Sequence, residues 1–410
     1  MTKNFPKKTD LPLKKHLKTD VVIVGGGLTG LLSAYLLRKS GKSIILLEKG
    51  KIGRGATALT TAFITQVIDT PFSELITIFG LMSARRIVDS HGDAIVFLKN
   101  IIRDEKMDCD FTECSNFLYA HSSKEITFLK KECAAEKKLH LDATCIQESN
   151  LSFESAGYIE TRGQAKFDAQ KFVAAFIPIV QKMGVRILEN TEALSITSDG
   201  QMASVETVDL VITAPWTVVT TYAPFNKPLR LFFKKAMYTS YVMKAEIPGK
   251  LFKEGIYEDT QNPYHYFRVD IGEGKDTITI GGEDHRSDIP ASSRNSFLAL
   301  EDYAKKILPM ISYKKISCWK GPILESVDGL AYIGPLDTRN VLYAMAFSGN
   351  GMTYAAISAL IFRDSISGKK NNWSALYKAD RIPTLKSLIT KGKDFAGEFI
   401  HGALKNTLRV

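Results

Sequence analysis

The first regular pattern of hydrophobic residues along the chain consists of short, continuous apolar runs. Val21–Val24 and Ser43–Leu47 are two such runs, which are typical of parallel strands buried on both faces. The intervening segment LTGLLSAYLLRKSG is apolar at helical spacing and ends in glycine. Residues 20–50 therefore predict a β-α-β unit.

Further along, the spacing of apolar residues changes several times. It predicts helices over 73–107, 124–139 and 168–183, a strand pair over 185–197, and a short buried strand that ends at Trp216. Residues 229–285 alternate strand-like runs with turns, which indicates an antiparallel sheet. Residues 341–347 form one more apolar strand, which a glycine-rich turn joins to a helix.

The turn after the first predicted strand, VVIVGGGLTG, fits the dinucleotide-binding fingerprint. Gly25 allows a tight turn, Gly27 lets a pyrophosphate approach the backbone, and Gly30 lets the helix pack closely. Glu48 ends the second strand, where an acid accepts hydrogen bonds from ribose hydroxyls and repels a 2′-phosphate. The alternative is a glycine-rich turn with an incidental surface glutamate.

A second glycine-rich turn between strand and helix, SGNGMTYA, lies near the C-terminus. Two such turns around an antiparallel insert fit a flavin fold better than a nicotinamide dehydrogenase. The first turn would hold the pyrophosphate, and the second would approach the flavin ring, whose negative charge helix-start amides can stabilise. The hydroxyl-rich loop 51–66 follows the ribose acid and would also contact the cofactor.

The candidate cofactor-binding residues lie in these turns, in this loop or at the ends of neighbouring predicted strands. They are Gly25, Gly27, Leu28, Thr29, Gly30, Glu48, Lys49, Thr57, Thr60, Thr61, Ala193, Ala214, Trp216, Gly349, Gly351, Met352 and Thr353.

The composition is that of an ordinary globular protein, with 410 residues, 45% hydrophobic and 24% charged. No apolar run reaches the roughly 18 residues of a membrane span. Residues 1–20 contain lysines without an apolar core, so we expect no secretory signal and a cytoplasmic location. The cysteines are odd in number and lack metal-site spacing, so free thiols are expected. They are Cys109, Cys114, Cys133, Cys145 and Cys318.

The chain resembles the D-amino-acid-oxidase-like (DAO) family of FAD-dependent oxidoreductases, which includes glycine oxidase and sarcosine oxidase. The resemblance rests on VVIVGGGLTG, LLEKGKIGRGAT, GVRILENTEALSI, VDGLAYIGP and FSGNGMTYA. NPYHYFRV, GGEDHR and LESVDGLAYIG are similar to motifs of the branch that usually carries a C-terminal Rieske domain. That domain is expected to be absent, because its paired Cys and His ligands do not occur after residue 320.

The resemblance implies that a C–H bond beside an amine delivers hydride to FAD, that the imine hydrolyses, and that oxygen or an electron carrier reoxidises the flavin. The small substrate would be an amino acid or another amine. GPILESVDG lacks the arginine with which glycine-oxidase-like members clamp a carboxylate, and Leu59 stands where the family often has arginine. Cys318 does not align with the flavin-linking cysteine of sarcosine oxidase, so FAD is expected to be noncovalent.

Two other functions stay open. One is a non-catalytic or electron-transfer FAD-binding protein that partners another redox protein. The other is a nucleic-acid-modifying flavoprotein, which the net charge of +10 suggests. Because the lysines are spread along the chain without a basic aromatic-rich helix, we expect no nucleic-acid partner.

The predicted fold class is α/β, with a Rossmann-like FAD-binding domain built on a parallel sheet and an inserted antiparallel β-sheet substrate domain of the α+β type. The predicted boundaries are a basic N-terminal arm at 1–19, the FAD-binding domain in 20–75, 155–225 and 320–370, the substrate or cap domain in 76–154 and 226–319, and a helical tail at 371–410.

The segment PYHYFR contains the candidate catalytic residues. In a strand, Tyr264, Tyr266 and Arg268 share one face, and His265 lies on the other. The tyrosines would orient a substrate and the arginine would hold an anion; the alternative is cross-strand aromatic pairing around a structural histidine. GGEDHR is predicted to be a turn-capping salt-bridge cluster, and no metal site is expected.

The tail 385–410 has apolar residues at helical steps among lysines and arginine. The favoured interpretation is a helix packed on its own protein, because Gly392, Gly397 and Gly402 weaken a free-standing helix. Peripheral contact with an anionic membrane and docking of a redox partner are the alternatives.

Overall fold

Three β-sheets organise the structure, a computed structural model that describes residues 14–223, 225, 235–289, 292–308, 312–383 and 387. The six-stranded sheet is parallel except for one edge strand, which runs antiparallel. Its strands in spatial order are β18 (Tyr332–Pro335), β19 (Val341–Met345), β12 (Trp216–Val219), β2 (Val21–Val24), β3 (Ile44–Leu47) and β8 (Arg186–Leu188).

Helices cover the six-stranded sheet and bury its apolar strands. Helix α1 (Leu28–Lys39) packs against α7 (Gly351–Ile366) and α5 (Ala169–Lys182), and α7 also packs against α3 (Leu81–Asp104). The strand β2 is completely surrounded, which explains why its sequence is apolar at every position.

The nine-stranded sheet is mainly antiparallel, and only β5 and β14 pair in parallel. One of its faces packs on α6 (Ser293–Ile307) through a second core cluster. In spatial order it contains β17 (Lys314–Ser326), β13 (Lys235–Pro248), β16 (Lys275–Arg286), β15 (His265–Asp270), β14 (Gly255–Asp259), β5 (Thr112–Ala120), β7 (Gly157–Lys166) and β4 (Phe63–Ile64), with β6 (Ala143–Ile146) beside β7.

The third sheet is small and lies against the six-stranded one. Its order is β1 (Lys15–Lys18), β11 (Leu210–Ala214), β10 (Ala203–Glu206) and β9 (Ser195–Ser198). The remaining helices are α2 (Phe72–Phe79) and α4 (Ile126–Lys138), with short 3₁₀ turns at Ala56–Ala58 and Ser123–Glu125.

The predicted fold class is confirmed: a mixed α/β chain with a mainly parallel sheet and a large, mainly antiparallel one. The domain boundaries stay a prediction. The helical stretch 73–107 is two helices, because Gly80 breaks it with a φ of 78°. The expected strand pair over 185–197 is wrong, since β8 and β9 belong to different sheets. Trp216 begins β12 rather than ending a strand, after Pro215 interrupts the run.

The expectation that all cysteines are free is also wrong. Helix α4 packs beside β6, which brings the Cα atoms of Cys133 and Cys145 to 6.2 Å, and the two form a disulfide. Cys109, Cys114 and Cys318 are free thiols.

Two predicted segments fall largely outside the description. Residues 1–13 of the N-terminal arm and all of the tail 385–410 except Ser387 lie outside the described residues. Within the part of the chain that is described, no helix is both long and apolar enough to cross a membrane.

Candidate active site

The first glycine-rich turn is shaped by close backbone contacts. Gly25 has a φ of 112°, and a Cβ there would lie 2.6 Å from the carbonyl oxygen of Thr220. A Cβ on Gly30 would lie 2.0 Å from the carbonyl oxygen of Gly25. Both positions therefore require glycine, and their contacts press the start of α1 against the turn.

The N-terminal end of α1 faces an open cleft. Gly27 is its N-cap, so the cap supplies no side chain to the amides of the first turn, which also carries no acidic residue. The Leu28 N–H donates to Thr57 Oγ1 at 3.1 Å, and a Cβ on Gly27 would lie 3.1 Å from the same oxygen. The helix start thus offers backbone donors and positive potential to an anion.

Glu48 joins the turn to the end of β3. Its Oε2 accepts from the Gly26 N–H and its Oε1 from the Gly50 N–H, both at 2.8 Å. Each carboxylate oxygen has a second acceptor site, so the fixed carboxylate can still accept from two hydroxyl groups.

The second glycine-rich turn follows β19 and starts α7. The Gly349 N–H donates to Asp69 Oδ2 at 2.6 Å, and a Cβ there would lie 2.9 Å from Asp69 Oδ1. Ala346 and Ser348 both have positive φ, at 58° and 50°. Such conformations cost energy in non-glycine residues and cluster at functional sites. A Cβ on Gly351 would meet only open space.

Both turns open into a single cleft. The strands β2, β3, β12 and β19 are parallel, so their carboxyl ends lie at one edge of the sheet, where ligands bind in folds of this kind. Fourteen of the candidate residues line this cleft. They are Gly25, Gly27, Leu28, Thr29, Glu48, Lys49, Thr57, Thr60, Thr61, Ala193, Tyr266, Gly349, Gly351 and Met352.

Four other cofactor candidates do not line the cleft. Gly30 lies behind the turn, where the absence of a side chain lets the start of α1 pack against Gly25. Thr353 Oγ1 lies 2.8 Å from His91 Nδ1, so this side chain faces α3. Ala214 is buried opposite Ala203 in the small sheet. Trp216 pairs with Val21 at the amino ends of the parallel strands, whereas the cleft lies at their carboxyl ends.

The alternation predicted for PYHYFR holds within β15. Tyr266 lines the cleft and stands over Gly281, where a Cβ would lie 2.1 Å from the tyrosine Cζ. Tyr264 precedes the strand and stacks on Tyr266, with ring centroids 6.1 Å apart, and its hydroxyl donates to Asp284 Oδ2 at 3.2 Å.

His265 lies on the opposite face of the sheet. Its Nδ1 is 3.3 Å from Asp259 Oδ2, its Nε2 is 2.9 Å from Glu283 Oε1, and its ring stacks on Tyr303 at 4.0 Å. Burial lowers the pKa of His265, but the bonded carboxylates outweigh burial and leave this pKa above its ordinary value. The residue is part of the core beneath α6, which corresponds to the structural alternative considered for it.

Arg268 is tied into the structure and is not available to an anion in the cleft. Its Nε lies 3.1 Å from both carboxylate oxygens of Asp270, and its Nη1 donates to the carbonyl oxygens of Thr61 and Phe167. The guanidinium therefore positions the loop around Thr61, whose side chain lines the cleft.

GGEDHR lies within β16 and not in a turn, which corrects the prediction. The expected ion pairs do occur, between Glu283 and His265 and between Arg286 and Asp288 at 2.7 Å. Among the described residues, no group of three or more His, Cys, Asp or Glu side chains could hold a metal ion.

The sequence did not predict several residues that line the cleft. Thr220 follows β12 at the same sheet edge as Gly25, so the parallel topology was a usable signal for it. Ser240 and Gly321 come from neighbouring strands of the large sheet, and their positions depend on long-range pairing that no local pattern reveals.

Comparison with known proteins agrees with this geometry. The family model of the DAO FAD-dependent oxidoreductases matches residues 20–365. The putative Rieske 2Fe-2S iron-sulfur protein YhfW of Bacillus subtilis is 28% identical over 97% of this chain and 79% of its own length. Gamma-glutamylputrescine oxidoreductase of Escherichia coli is 21% identical over 90% of this chain and 89% of its own.

A solved structure has the same fold. Glycine oxidase from Geobacillus kaustophilus superposes with a TM-score of 0.75 at 18% identity, covering 89% of this chain and 99% of its own. FAD is the cofactor of the matching family. The chain belongs to the DAO family of FAD-dependent oxidoreductases.

Proposed function

We propose that this protein oxidises a small amine at the C–H bond beside its nitrogen, with noncovalently bound FAD as the hydride acceptor. The observation that carries the proposal is the meeting of the two glycine-rich turns in one cleft, beside Tyr266 of the large sheet. When bound, FAD supplies the two-electron acceptor. Oxidation turns the amine into an imine, which reacts with water to give a carbonyl compound and ammonia or a smaller amine.

The residues of the cleft fit FAD. The open helix start at Gly27 suits the pyrophosphate, and the two free acceptor sites of Glu48 suit the ribose hydroxyls. The open space at Gly351 and the start of α7 suit the carbonyl edge of the flavin ring, where backbone N–H groups stabilise negative charge.

Noncovalent attachment agrees with the placement of the free thiols. None of the cleft-lining residues within the described ranges is a cysteine. Cys318 lies on β17 beside Trp319, which donates from its Nε1 to the Leu59 carbonyl oxygen at 2.9 Å. Cys318 itself lines a different pocket, together with Leu59 and Trp319.

The chain's own residues would bind and orient the amine. Tyr266 stands in the cleft wall, fixed by Gly281 beneath its ring and by Phe63, whose ring centroid is 5.5 Å away. No protein base is required if the amine binds in its neutral form, because its lone pair assists the loss of hydride. Since Asp270 neutralises Arg268, a substrate carboxylate would lack that partner.

The test is anaerobic reduction of the purified yellow protein by a panel of small amines. We expect at least one amine to bleach the oxidised flavin band, and the alcohol of the same carbon skeleton to leave it unchanged. If dithionite bleaches the flavin but every amine fails, the amine oxidation proposal is refuted.

A second candidate is electron transfer to a separate redox protein, which the similarity to the putative Rieske protein favours. After reduction, reoxidation by oxygen is compared with reoxidation by the one-electron acceptor ferricenium. Fast reaction with ferricenium and slow reaction with oxygen supports a carrier as the oxidant, whereas fast reaction with oxygen opposes it.

A further inference from the structure

A buried serine hydroxyl faces the cleft from the large sheet. Ser240 lies on β13, is only 4% exposed and lines the cleft. Its Oγ forms no hydrogen bond of good geometry among the described residues, although it lies close enough to Asp284 and Tyr266 to lower the pKa of both. A buried polar group left unpaired costs free energy, so its retention in the wall of a cleft points to a polar ligand there.

A β-bulge places a carboxylate beside this hydroxyl. The register of β13 with β16 shifts between Thr239 and Tyr241, and Glu283 has a φ of 55°. Glu283 consequently reaches His265 beneath α6, whereas Asp284 turns to the opposite face, where it accepts from Tyr264. Bulges commonly re-aim side chains in this way next to active sites.

Asp284 has acceptor capacity to spare and no charge partner. Its Oδ1 is buried without a hydrogen bond, and the carboxylate forms no ion pair with a Lys, Arg or His of the described ranges. An isolated buried carboxylate is costly unless a cation neutralises it. Asp69, at the second glycine-rich turn, adds a further negative charge to the same surroundings.

We propose that Asp284, with Ser240 and Tyr266, holds the ammonium group of a cationic amine substrate, so that the enzyme selects amines by their positive charge and needs no substrate carboxylate. This deepens the proposed function and rests on it. An ammonium group has three donors, which suits two hydroxyl oxygens and a carboxylate. Before oxidation, the ammonium group gives one proton to the Asp284 carboxylate, which frees the nitrogen lone pair that assists the loss of hydride. Like-charged carboxylate substrates would be repelled by Asp284 and Asp69.

The charge of Asp284 depends on pH. Burial, with a smaller contribution from Asp69, raises its pKa to about 6 from an ordinary 3.8, while the Ser240 and Tyr264 hydroxyls and His265 oppose the rise. The groups that face it are Ser240 from β13, Tyr264 and Tyr266 from the β15 side and Asp69 from the second turn, and His265 of β15 acts from the other face of the sheet. Cation binding should therefore weaken as the pH falls through about 6.

The probe is tert-butylammonium, which has no C–H bond on the carbon that bears nitrogen and cannot be oxidised there. Pivalate is its anionic counterpart of the same shape. Binding to the FAD-loaded protein is followed by perturbation of the flavin absorption spectrum at constant ionic strength. At pH 8 we expect tert-butylammonium to bind at least tenfold more tightly than pivalate.

Asp284→Asn should weaken tert-butylammonium binding about tenfold and abolish its pH dependence. Ser240→Ala should weaken it by a smaller factor. Glu283→Gln is the matched control: it removes the same charge one residue away but on the face beneath α6, and should change binding less than twofold. Equal losses in Asp284→Asn and Glu283→Gln, or no loss in Asp284→Asn, overturn the proposal.

The wild-type protein provides a second test if Asp284→Asn fails to fold. Its affinity for tert-butylammonium should fall about tenfold from pH 8 to pH 5, and a pH-independent affinity overturns the proposal. Because the probe is not a substrate, these results do not depend on turnover. Cation selectivity in a protein that no amine reduces would refute the proposed function and leave the ammonium site intact.

Discussion

At the residue scale, Glu48 holds the first turn together and is proposed to bind the ribose. Glu48→Ala should raise the dissociation constant of FAD at least tenfold, because each hydrogen bond to a charged group contributes about 1.5–3 kcal/mol. The measurement is a fluorescence titration of the apoprotein with FAD.

Glu189 provides the matched control for that variant. It also accepts from a backbone N–H, that of Ile52 at 2.9 Å, and pairs with Lys51, but it does not line the cleft. Glu189→Ala should therefore leave FAD affinity within about twofold of wild type. Unchanged affinity in Glu48→Ala would place the ribose elsewhere.

Glu136 should make stability depend on pH. It is 2% exposed and accepts from Thr161 Oγ1 at 2.5 Å, and burial raises its pKa to about 7 from an ordinary 4.5. The folded state therefore holds this proton more tightly than the unfolded state. The stabilisation is complete below the unfolded pKa and is lost as the pH rises through about 7.

Glu136→Gln should remove this penalty at high pH. We expect the free energy of unfolding to rise by roughly 3 kcal/mol at pH 8 and by under about 1 kcal/mol at pH 5, relative to wild type. Urea unfolding at both pH values measures this. Glu113→Gln, at an exposed carboxylate paired with Lys99, should show no such pH-dependent gain. An equal gain at both pH values would contradict the assignment.

At the element scale, an ion pair fixes the chain that returns from α7 to the edge strand β18. Arg381 Nη2 lies 2.6 Å from Asp328 Oδ1, with side-chain exposures of 12% and 2%, and its guanidinium stacks on Tyr332 at 3.9 Å. Arg381→Met should lower the free energy of unfolding by about 3–5 kcal/mol, because it leaves a buried carboxylate unneutralised.

Urea unfolding of Arg381→Met at neutral pH measures that loss. Arg339→Met is the control, since Arg339 donates from its Nε to the Gly200 carbonyl oxygen at the surface and should contribute under about 1 kcal/mol. A loss no larger than that of the control would show that Asp328 finds another partner.

The sequence predicted an element well where one periodicity ran unbroken. The opposite orientations of His265 and Tyr266 follow from the pleat of β15 alone. The sequence did not predict the orientation of Asp284, because GGEDHR was expected to be a turn, whereas it lies in β16 at a bulge that re-aims its side chains. The buried strand predicted to end at Trp216 was misplaced, because the chain changes sheets at Pro215 while remaining apolar.

At the scale of the whole molecule, the sequence revealed the two turns but not the wall between them. Each turn carries its own local signature of glycines between strand and helix. The wall depends on Ser240, Gly321 and Tyr266, which meet only because β17, β13, β16 and β15 pair side by side in the large sheet. Long-range pairing of this kind has no local sequence signature.

FAD should stabilise the whole fold, since the cleft is lined by residues from three distant segments, 24–61, 191–266 and 321–352. A ligand that binds only the folded state adds about 2.7 kcal/mol at a concentration one hundred times its dissociation constant. We expect a higher Tm for the apoprotein after FAD is added.

Noncovalent attachment is tested by acid precipitation, which should release all the flavin into the supernatant. Flavin that stays in the pellet would contradict noncovalent binding.

Gly27→Val is the matched variant for the Tm measurement. Its φ of −77° permits a side chain, and only Thr57 is close, so the apoprotein should fold with a Tm near that of wild type. The valine would fill the proposed phosphate path, so added FAD should not raise its Tm. A fully yellow Gly27→Val protein would refute the phosphate assignment.

The strand order of the parallel sheet also determines when each strand can pair with its neighbours during synthesis on the ribosome. The strand β2 is made early, but its neighbour β12 comes almost 200 residues later, and β19 only after residue 340. Until β12 is made, β2 can pair only with β3, so for almost 200 residues the nascent chain carries an apolar strand with one open edge, a condition that favours aggregation and chaperone binding. Because the second glycine-rich turn follows β19, the cleft is complete only once residue 352 has been made, and the cofactor can be loaded only after that point.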